Sequence, residues 1–416
     1  EEVNENHDGM YRSELTNEWI DESLKDQRPI AVMVDNEKTA LPHFGVADAD
    51  VVYEIMNSTL NDRITRFMVV VKDWDKIEQL GSIRSARPTN FMLAAEWNAV
   101  LCHDGGPFFI NDWVAKDYSA NFSGGFARFN NGKATEFTEY ITYDTYTNSQ
   151  KGKTYDGLKQ RFESSRYTTT YNDYYQGPHF KFADAEVTFA DRNDAISATT
   201  IELPFKHNGS TLKYNEETGT YDYYEYGSAH KDADSNAQLT FENVILQDTT
   251  FAELGEGYLI YNAIDSGRSG YYITQGKAIE VTWTKSSENA ITHYYDAKTG
   301  EEIELPLEKL STKKGTGAVY QLRFPKIGRY ELVFRMSSTL GPLAQLPISV
   351  FLNNTLQQTV TINGTEGKVV EQSVTLAIRQ DGEKYMKLYF GESGIDMHRM
   401  FLRYVGKNDI ESFRNE

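Results

Sequence analysis

The sequence predicts a multidomain protein with an α/β or α+β domain first, an antiparallel β-rich domain in the middle and a β-sandwich last. The first third of the chain mixes apolar strand-like runs with a helix-like run, whereas the remainder shows two-residue alternation broken by turn signals and by one polar linker. A length of 416 residues also exceeds what one hydrophobic core usually serves. We therefore expect domains at residues 28–154, 155–310 and 311–416, preceded by an arm at residues 1–27.

Apolar runs define the elements of the first domain. The run RPIAVMVDN, which starts at Arg28, ends in Asp-Asn, as is typical of a central strand that is buried on both faces. ADVVYEIM and ITRFMVVVKDW are two further strand-like runs, and NFMLAAEWNAVLCHDGG is typical of a helix followed by a strand. The acidic arm before them is predicted to contain one helix, around residues 13–24.

Alternation and turn chemistry predict the other two domains. The turn sequences HNGS, ETG and DAKTG separate short alternating runs between residues 155 and 310, which indicates β-hairpins. After STKKGTG, the run YELVFRM places alternate apolar residues from Tyr330 to Met336 on one face of a strand. Later runs are expected to continue as hairpins with a turn at Asn363-Gly364, which together make one β-sandwich.

Charge and composition exclude several partners. Asp and Glu outnumber Lys and Arg by 61 to 42, and the net charge of −19 opposes binding to nucleic acid and anionic membrane surfaces. No run reaches the roughly 18 to 20 apolar residues of a spanning helix. The chain begins at Glu1 without Met, so a removed signal or membrane anchor stays open. The single Cys102 cannot form a disulfide within the chain and is predicted to be a small buried hydrophobe.

A group of arginines is the main candidate site. Arg66 precedes an apolar run, and Arg84 and Arg87 follow the next one, so all three are expected to converge at one edge of a sheet. Guanidinium groups pair bidentately with phosphate or carboxylate, but they are costly to bury unpaired. Both an anion-binding site and a charge-paired structural network remain open. The carboxylates that follow strand-like runs and would serve as partners are Asp35, Glu54 and Asp104.

Two histidine-containing segments are further candidates. His103 and Asp104 would form an acid–base pair only if the chain bends at Gly105-Gly106, because adjacent strand residues point to opposite faces. A buried, hydrogen-bonded His103 is the alternative. The segment HKDAD at residues 230–234 would place one imidazole and two carboxylates on one strand face, which suits calcium or zinc, and a solvated hairpin is the alternative.

An ordered set of motifs carries a family resemblance from about Arg28 to Leu310. In the first domain the motifs are RPIAVMVDN, FGVADADVVYEI, ITRFMVVV, GSIRSARP and VLCHDGG, and in the second they are YDYYEYGSAHKDADSNAQLTFENVIL, GYYITQGKAIEVTW and HYYDAKTGEEIEL. With them the chain resembles the YerB-like family of bacterial lipoproteins. The resemblance implies an exported protein, tethered outside the cytoplasm by a lipidated cysteine at its mature N-terminus. Where relatives read HAGG, this sequence has Asp104 in place of the alanine.

The last domain carries a second resemblance. Its runs GRYELVFRMSS, VFLNN, KYMKLYF and GIDMHRMFLRYV are similar to those of carbohydrate-binding modules of the galactose-binding-like, jelly-roll type. Such sandwiches stack sugars on exposed aromatic rings beside hydrogen-bonding side chains. The resemblance implies sugar contacts at Tyr320, Asn353, Asn354 and Asp396. No clear early Glu for the calcium site of many relatives is evident, and a purely structural sandwich is the alternative.

A third likeness concerns the arginines. The segment contains, in order, an arginine, a short apolar strand, an Asp-rich loop, a strand ending Ser-Ile-x-Arg, a helix and a strand ending Gly-Gly. This order is similar to that of the LytR-CpsA-Psr enzymes, which transfer glycopolymers from polyprenyl pyrophosphate carriers to the cell wall. Positioned cations suffice for such chemistry. The sequence RSARP lacks the Arg-Asp pair of those enzymes. The likeness assigns pyrophosphate to Arg84, Arg87 and either Arg63 or Arg66, and a metal to Asp35 or Asp104.

Binding is the function that the sequence favours. We predict a cell-envelope protein that binds a cell-wall or extracellular glycan or another anionic ligand, and a divalent cation, calcium or magnesium, would be its cofactor. A glycopolymer phosphotransferase and a scaffold for protein partners are the alternatives. The scaffold is suggested by the 27 tyrosines, since Tyr supplies interface area at low entropic cost. No catalytic residue is assigned.

Overall fold

The computed structural model describes residues 9–183, 189, 192–305, 310–311 and 317–407. These residues belong to two compact units, one with residues 9–181 and 192–304, the other with the strands between residues 310 and 406. A mixed sheet, antiparallel sheets and a final sandwich follow one another along the chain, so the predicted fold class is confirmed. The boundary at residues 154 and 155 stays a prediction.

The first part of the larger unit contains the three α-helices of the described residues. Its strands are β1 (Met10–Arg12), β2 (Trp19–Asp21), β3 (Ile30–Asp35), β4 (Val51–Met56), β5 (Thr65–Val71), β6 (Leu80–Gly81), β7 (Val100–His103), β8 (Asn121–Ser123), β9 (Ala127–Arg128), β10 (Glu139–Ile141), β11 (Tyr146–Asn148) and β12 (Lys153–Tyr155). Its α-helices are α1 (Pro88–Glu96), α2 (Asn111–Val114) and α3 (Leu158–Ser164), and its 3-10 turns are Glu22–Leu24, Lys38–Ala40, Trp74–Lys76, Phe108–Ile110 and Thr135–Phe137. None of the helices in the described residues has the length and apolarity that crossing a bilayer requires.

A five-stranded mixed sheet in the order β4-β5-β3-β7-β8 forms the centre of this unit. Strand β3 pairs antiparallel with β5 and parallel with β7, and all six of its residues are buried. Ile30 and Val32 point to one core layer, and Ala31 and Met33 point to the other, where Phe91 of α1 packs. The prediction of a strand buried on both faces is therefore confirmed, as is the helix followed by a strand, α1 and β7.

The predicted helix around residues 13–24 is wrong. Strands β1 and β2 pair antiparallel in that segment, with Tyr11 opposite Ile20. Asn17 lies in the left-handed region with φ 62°, which closes the turn between the strands, and the Ser13 hydroxyl accepts a hydrogen bond from the N–H of Leu15. Leu15 is only 3% exposed, so tertiary packing against the core outweighs the weak helical propensity of this acidic segment.

Antiparallel sheets make up the second part of the larger unit, as predicted. Its strands are β13 (Ile196–Ser197), β14 (Thr200–Glu202), β15 (Thr211–Asn215), β16 (Thr220–Glu225), β17 (Ser228–Ala229), β18 (Thr240–Phe241), β19 (Asn243–Gln247), β20 (Phe251–Glu253), β21 (Leu259–Tyr261), β22 (Asp265–Thr274), β23 (Lys277–Lys285) and β24 (His293–Asp296). One sheet has the order β14-β15-β16-β17 and another the order β13-β23-β22-β19. Tyr221 and Tyr223 of β16 share one hydrophobic core with Val32 of the central sheet.

The smaller unit is a β-sandwich. Its strands are β25 (Leu310–Ser311), β26 (Gly317–Phe324), β27 (Gly328–Ser337), β28 (Gln345–Leu352), β29 (Thr355–Asn363), β30 (Val370–Ile378), β31 (Gly382–Phe390) and β32 (Asp396–Gly406). They form two four-stranded sheets in the orders β25-β32-β27-β30 and β26-β31-β28-β29. The alternate residues of β27 from Tyr330 to Met336 are buried in the core between them, as predicted.

The predicted hairpin turn at Asn363-Gly364 is wrong. Strand β29 pairs with β28, whereas β30 pairs with β27 in the other sheet, so Asn363-Gly364 begins a crossover between sheets. A glycine is needed there for close packing, because a Cβ at Gly364 would lie 2.2 Å from the backbone oxygen of Gly341. The hairpin turn of this region is instead Asn353-Asn354, where both residues have positive φ.

Candidate functional site

Three of the predicted arginines lie together at the end of strand β3. Arg66 in β5 is the cross-strand partner of Asp35, the last residue of β3. Arg84 is held beside the same strand because its N–H donates to the carbonyl of Met33 at 3.0 Å. Arg87 directly precedes α1 and is its N-cap residue. The convergence predicted from strand ends thus joins Arg66, Arg84, Arg87 and Asp35.

Arg84 is part of a charge-paired network. Its Nε lies 3.1 Å from Oδ2 of Asp35 and one terminal nitrogen lies 3.1 Å from Oε2 of Glu136. Only 4% of the Asp35 side chain is exposed. Burial raises the pKa of Asp35, although the charges of Arg84 and Arg66 oppose that shift. Arg84 and Asp35 therefore fit the structural interpretation of the cluster.

Arg66 and Arg87 differ from Arg84, because neither pairs with a carboxylate among the described residues. One terminal nitrogen of Arg66 donates to the carbonyl of Ser85 at 2.7 Å, and one of Arg87 donates to the carbonyl of Ala86 at 3.0 Å. Burial and the charge of Arg87 lower the pKa of Arg66 to about 9, while burial lowers the pKa of Arg87 to about 10. Two partly buried cations thus repel each other.

Arg66 and Arg87 line one small cleft, which we call the arginine cleft. Its volume is about 10 Å³, which is room for about one water molecule. Strands β3, β4 and β21 and the first turn of α1 form its other walls. The residues lining it besides the two arginines are Met33, Ile55, Met56, Asn57, Thr89, Asn90, Leu259 and Tyr261.

Aromatic side chains extend from the arginine cleft to the surface. The guanidinium of Arg87 lies 4.7 Å from the ring centre of Tyr258, which in turn is 6.2 Å from the ring of Phe109. Phe108 follows at 4.0 Å from Phe109 and is 73% exposed. We call Phe108, Phe109 and Tyr258 the aromatic rim. The signal that sequence reasoning missed is the pair of consecutive phenylalanines in the loop GGPFFI.

Glu54 does not join the arginines. Its carboxylate accepts hydrogen bonds from the hydroxyls of Thr65 at 2.8 Å, Ser210 at 2.6 Å and Tyr223 at 3.0 Å. Burial raises the pKa of Glu54 to about 7, although these hydrogen bonds oppose the shift. Through these hydroxyl groups, Glu54 links β4 to β5, to the residue that precedes β15 and to β16.

His103 and Asp104 also lie apart from the arginine cleft. His103 is 1% exposed, and its ring nitrogens lie 2.7 Å from the carbonyl of Gly105 and 3.3 Å from Oδ1 of Asn121. Asp104 lies 3.5 Å from a terminal nitrogen of Arg128.

Neighbouring Cys102 is buried and free, as predicted, and burial raises the pKa of its thiol to about 12. Arg63 is on the exposed turn between β4 and β5.

A buried histidine pair lies behind Asp35. Nδ1 of His43 is 2.9 Å from Nε2 of His230, and Nε2 of His43 is 2.6 Å from the carbonyl oxygen of Asp35. The Glu225 carboxylate lies 3.6 Å from Nε2 of His230. Burial lowers the pKa of His43 to about 3 and that of His230 to about 4, and it raises that of Glu225 to about 8.

The structure corrects the two interpretations of the HKDAD segment. His230 and Asp232 are 4% and 3% exposed, so the solvated hairpin is wrong. The three residues do not form one site either, since Oδ1 of Asp232 accepts from the N–H of Asp234 at 3.0 Å and thereby caps a turn. His230 meets His43 and Glu225 instead. Alternation along β16 puts Glu225 on the same inward face as Tyr223, and that charged residue at a core position was the available signal.

The sandwich residues predicted to contact sugar are dispersed. Tyr320 in β26 packs against the core. Asn353 is bonded to β31, because its Oδ1 accepts from the N–H of Tyr385 at 2.9 Å, and the adjacent Asn354 is exposed in the same turn. Asp396 is the cross-strand partner of Ser337, at the end of the sandwich where β28 begins. The turn with the two asparagines lies at the other end, because it follows the last residue of β28. Asp396 and the two asparagines therefore lie at opposite ends.

Exposed tyrosines lie on the outer face of one sandwich sheet. Along β31, Tyr385, Lys387 and Tyr389 point outward, while Met386 and Leu388 are in the core. Tyr385 is 59% exposed and Tyr389 is 41% exposed. They belong to the KYMKLYF run, so the alternation of that run would have predicted them.

Comparison with known proteins gives the family. The family model described as "Protein of unknown function (DUF3048) N-terminal domain" matches residues 15–159, and the model of the corresponding C-terminal domain matches residues 201–307. The chain belongs to the DUF3048 family. Every residue of the arginine cleft and of the His43, Glu225 and His230 group lies within these two matched segments.

The relatives of this DUF3048 chain agree with the YerB-like resemblance. It is 21% identical over 322 residues to "Putative lipoprotein YerB" of Bacillus subtilis, which covers 74% of this chain and 90% of that protein. The crystal structure of the Bacillus subtilis YerB protein matches with a TM-score of 0.54 and 18% identity over 71% of this chain and 93% of that one. The two proteins therefore share a fold.

Two partial matches involve a β-glucosidase and a carbohydrate binding module. The chain is 27% identical over 104 residues to a β-glucosidase of Ruminococcus albus, which is 25% of this chain and 11% of that enzyme. A family 35 carbohydrate binding module from Clostridium thermocellum matches at a TM-score of 0.19 and 11% identity, over 39% of this chain and 92% of the module. A TM-score this low does not establish a shared fold.

Proposed function

We propose that this DUF3048 protein binds an anionic glycan, with the phosphate or carboxylate of the glycan in the arginine cleft and a sugar ring on the aromatic rim. The observation that supports the proposal most is the placement of Arg66 and Arg87 at one cleft without a carboxylate partner among the described residues. The resemblance to bacterial lipoproteins suggests that this binding takes place outside the cytoplasm, at the cell envelope.

Charge favours an anion at this cleft. The mutual repulsion of Arg66 and Arg87 contributes to the lowered pKa of Arg66, and an anion between them would relieve it. Guanidinium groups donate in a planar fork that matches carboxylate and phosphate oxygens. Because the net charge of the chain is −19, this local excess of positive charge runs against the composition of the whole molecule.

Size and shape favour a glycan as the carrier of that anion. The arginine cleft admits only small groups such as the oxygens of one phosphate or carboxylate, so the remainder of the ligand would lie outside, against the aromatic rim. Phe108 exposes 73% of its surface there. An exposed aromatic ring next to hydrogen-bonding groups suits the apolar face of a sugar ring. The exposed Tyr385 and Tyr389 of the sandwich would provide a second, independent sugar contact.

Binding of defined polymers by the full chain tests the proposal. We would titrate it with a polyuronate, a glycerol-phosphate polymer and a neutral β-glucan of similar length. The two acidic polymers are expected to bind, with affinity that falls as salt rises. The double variant Arg66→Gln/Arg87→Gln should bind them at least about tenfold more weakly, because it loses two charge-assisted contacts.

Arg403→Gln is the matched control. Arg403 is 64% exposed and pairs with Glu331 in the sandwich, so its loss should change affinity less than about twofold. Equal binding of acidic polymers by the double variant and the wild type would refute the arginine cleft as the site. Binding of the neutral glucan alone, abolished by Tyr385→Ala/Tyr389→Ala, would place glycan recognition in the sandwich instead.

A phosphotransferase of the LytR-CpsA-Psr kind finds less support. That reaction would use Asp35 or Asp104 to position a metal beside the arginines. Asp35 is instead engaged with Arg84, and Asp104 lies next to Arg128. We therefore place the binding function first.

A further inference from the structure

His43, Glu225 and His230 bring three potential metal ligands together in the interior of the larger unit. His43 lies between β3 and β4, Glu225 ends β16, and His230 directly follows β17. One ligand atom from each residue lies within 4.8 Å of the other two. The three residues are 0%, 2% and 4% exposed. The group is separate from the arginine cleft and does not depend on the proposed function.

The local fold explains why Glu225 and His230 share a face. In β16 every second residue points inward, so Glu225 follows Tyr223 on the buried face. The chain then turns back at Tyr226-Gly227, where both residues have positive φ. The N–H of His230 donates to the carbonyl of Tyr223 at 3.1 Å, which places His230 opposite that inward-pointing residue. The hairpin alone therefore presents a carboxylate and an imidazole side by side.

Hydrogen bonding fixes which nitrogen of His43 is available. A backbone carbonyl can only accept, so Nε2 of His43 must donate its proton to the Asp35 oxygen at 2.6 Å. In the neutral ring, Nδ1 then carries a lone pair, and it points at Nε2 of His230 at 2.9 Å. A metal-binding histidine characteristically donates its second N–H to a carbonyl in this way, because that bond sets the tautomer and the orientation of the ring.

The surroundings of the Glu225 carboxylate also point to a bound cation. Glu225 is 2% exposed, the side-chain amides of Asn36 and Asn208 are its polar neighbours, and among the described residues neither of its oxygens makes a hydrogen bond of good geometry. Over the same part of the chain, no lysine or arginine forms an ion pair with it, His230 at 3.6 Å is its one salt-bridge partner, and the neighbouring Glu54 carboxylate repels its charge. An unpaired carboxylate is costly to bury unless it coordinates a metal or takes up a proton. Phe67, whose ring centre is 5.7 Å from that of His43, adds an apolar wall.

We propose that His43, His230 and Glu225 bind one transition-metal ion, with Zn²⁺ the best fit. Zn²⁺ takes His nitrogens and carboxylate oxygens at about 2.0–2.2 Å, so tetrahedral ligands lie roughly 3.3 Å apart. The observed separations of 2.9 Å and 3.6 Å bracket that value. Calcium and magnesium, which prefer six or more oxygen ligands, fit this donor set poorly. The fourth position is left for a water molecule or another small ligand.

Such an ion would act as an internal cross-link. It would join the loop after β3 to the β16–β17 hairpin, which are about 180 residues apart in the chain, and it would neutralise the buried Glu225. Because Asp35 holds His43 through its carbonyl and Arg84 through its carboxylate, the ion would also fix the strand end behind the arginines. The role that this geometry assigns to the metal is structural, since the ligands are closed off from solvent.

Metal content and affinity of the untagged full chain test the proposal. The protein is expected to retain one Zn²⁺ per chain by elemental analysis, and the stripped protein should take up one Zn²⁺ in competition with a chromogenic chelator. Glu225→Gln should weaken Zn²⁺ binding at least tenfold, and His43→Gln/His230→Gln should abolish stoichiometric binding. His103→Gln is the matched control, because His103 is 1% exposed and also bonds a backbone carbonyl, yet lies outside the group.

A spectroscopic measurement on the wild type covers the case in which these variants do not fold. Cobalt(II) loaded into the stripped wild type should give the intense visible bands of a four-coordinate nitrogen- and oxygen-ligated ion, and one equivalent of Zn²⁺ should remove them. Failure of the wild type to bind Zn²⁺ or cobalt stoichiometrically would overturn the proposal. Retention of one Zn²⁺ by a folded His43→Gln/His230→Gln variant would overturn it as well.

Discussion

Lys285 donates a hydrogen bond to Glu96 across 2.8 Å, and their side chains are only 0% and 1% exposed. Glu96 is the last residue of α1 and Lys285 is the last residue of β23, so this ion pair ties the helix that follows the arginines to the antiparallel part of the same unit. Glu96 also accepts from the hydroxyl of Thr292 at 2.9 Å and contacts His179 at 2.6 Å. These partners satisfy a buried carboxylate on both oxygens.

Removal of the lysine should destabilise the larger unit severely. Lys285→Met leaves the Glu96 charge buried without its cation, which typically costs about 3–5 kcal/mol. Urea unfolding of the wild type and the variant measures the difference. The matched control is Lys298→Met, because Lys298 is 65% exposed and 3.6 Å from Asp194, so at most about 1 kcal/mol is expected. Equal effects of the two substitutions would contradict a special role for the buried pair.

Glu96 should make the unit sensitive to acid. Burial opposes its ionisation, but Lys285 and His179 outweigh burial and lower the pKa of Glu96 to about 2. A folded-state pKa below the unfolded value means that the stabilisation is complete above about pH 4.5 and is lost as pH falls towards 2. We expect the difference in unfolding free energy between the wild type and Glu96→Gln to shrink between pH 5 and pH 3. A constant difference would contradict the lowered pKa.

Neutralisation of Asp35 should tighten anion binding. Its carboxylate interacts favourably with both Arg84 and Arg66, and it therefore opposes an incoming anion. Asp35→Asn removes one negative charge behind the arginine cleft and should raise the affinity for the acidic polymers severalfold, up to roughly tenfold. Glu136→Gln removes the other carboxylate next to Arg84, but Glu136 is 55% exposed, so solvent screening should make its effect smaller. Weaker binding by Asp35→Asn in a folded protein would instead favour the purely structural interpretation.

Truncation of Phe108 should separate binding from stability. Phe108→Ala removes a ring that is 73% exposed, so the unfolding free energy should change by less than about 0.5 kcal/mol. Loss of a stacked sugar should weaken glycan binding by about 1 kcal/mol, which is roughly fivefold. Ile196→Ala is a control at an apolar residue with 57% exposure in β13. The same affinity in both variants would remove Phe108 from the site.

Local patterns in the sequence predicted much of the fold because they record which face of an element is buried. The continuous apolar run before Asp35 predicted strand β3, and the alternation from Tyr330 to Met336 predicted one wall of the sandwich. The positions of Arg66, Arg84 and Arg87 next to strand ends predicted that they converge, since neighbouring strands bring their ends together. The same reasoning failed at Asn363-Gly364. The glycine there does not form a hairpin turn but permits a close contact between distant segments of the chain.

The sequence by itself determined the class of each region, the family and the grouping of the arginines. Only the tertiary structure decided which arginines keep an unpaired charge, that Asn354 and Asp396 lie at opposite ends of a sandwich, and that His43 meets His230 and Glu225. The physical reason is that periodicity specifies the face on which a side chain lies, whereas its partner on that face depends on how segments far apart in the chain pack together.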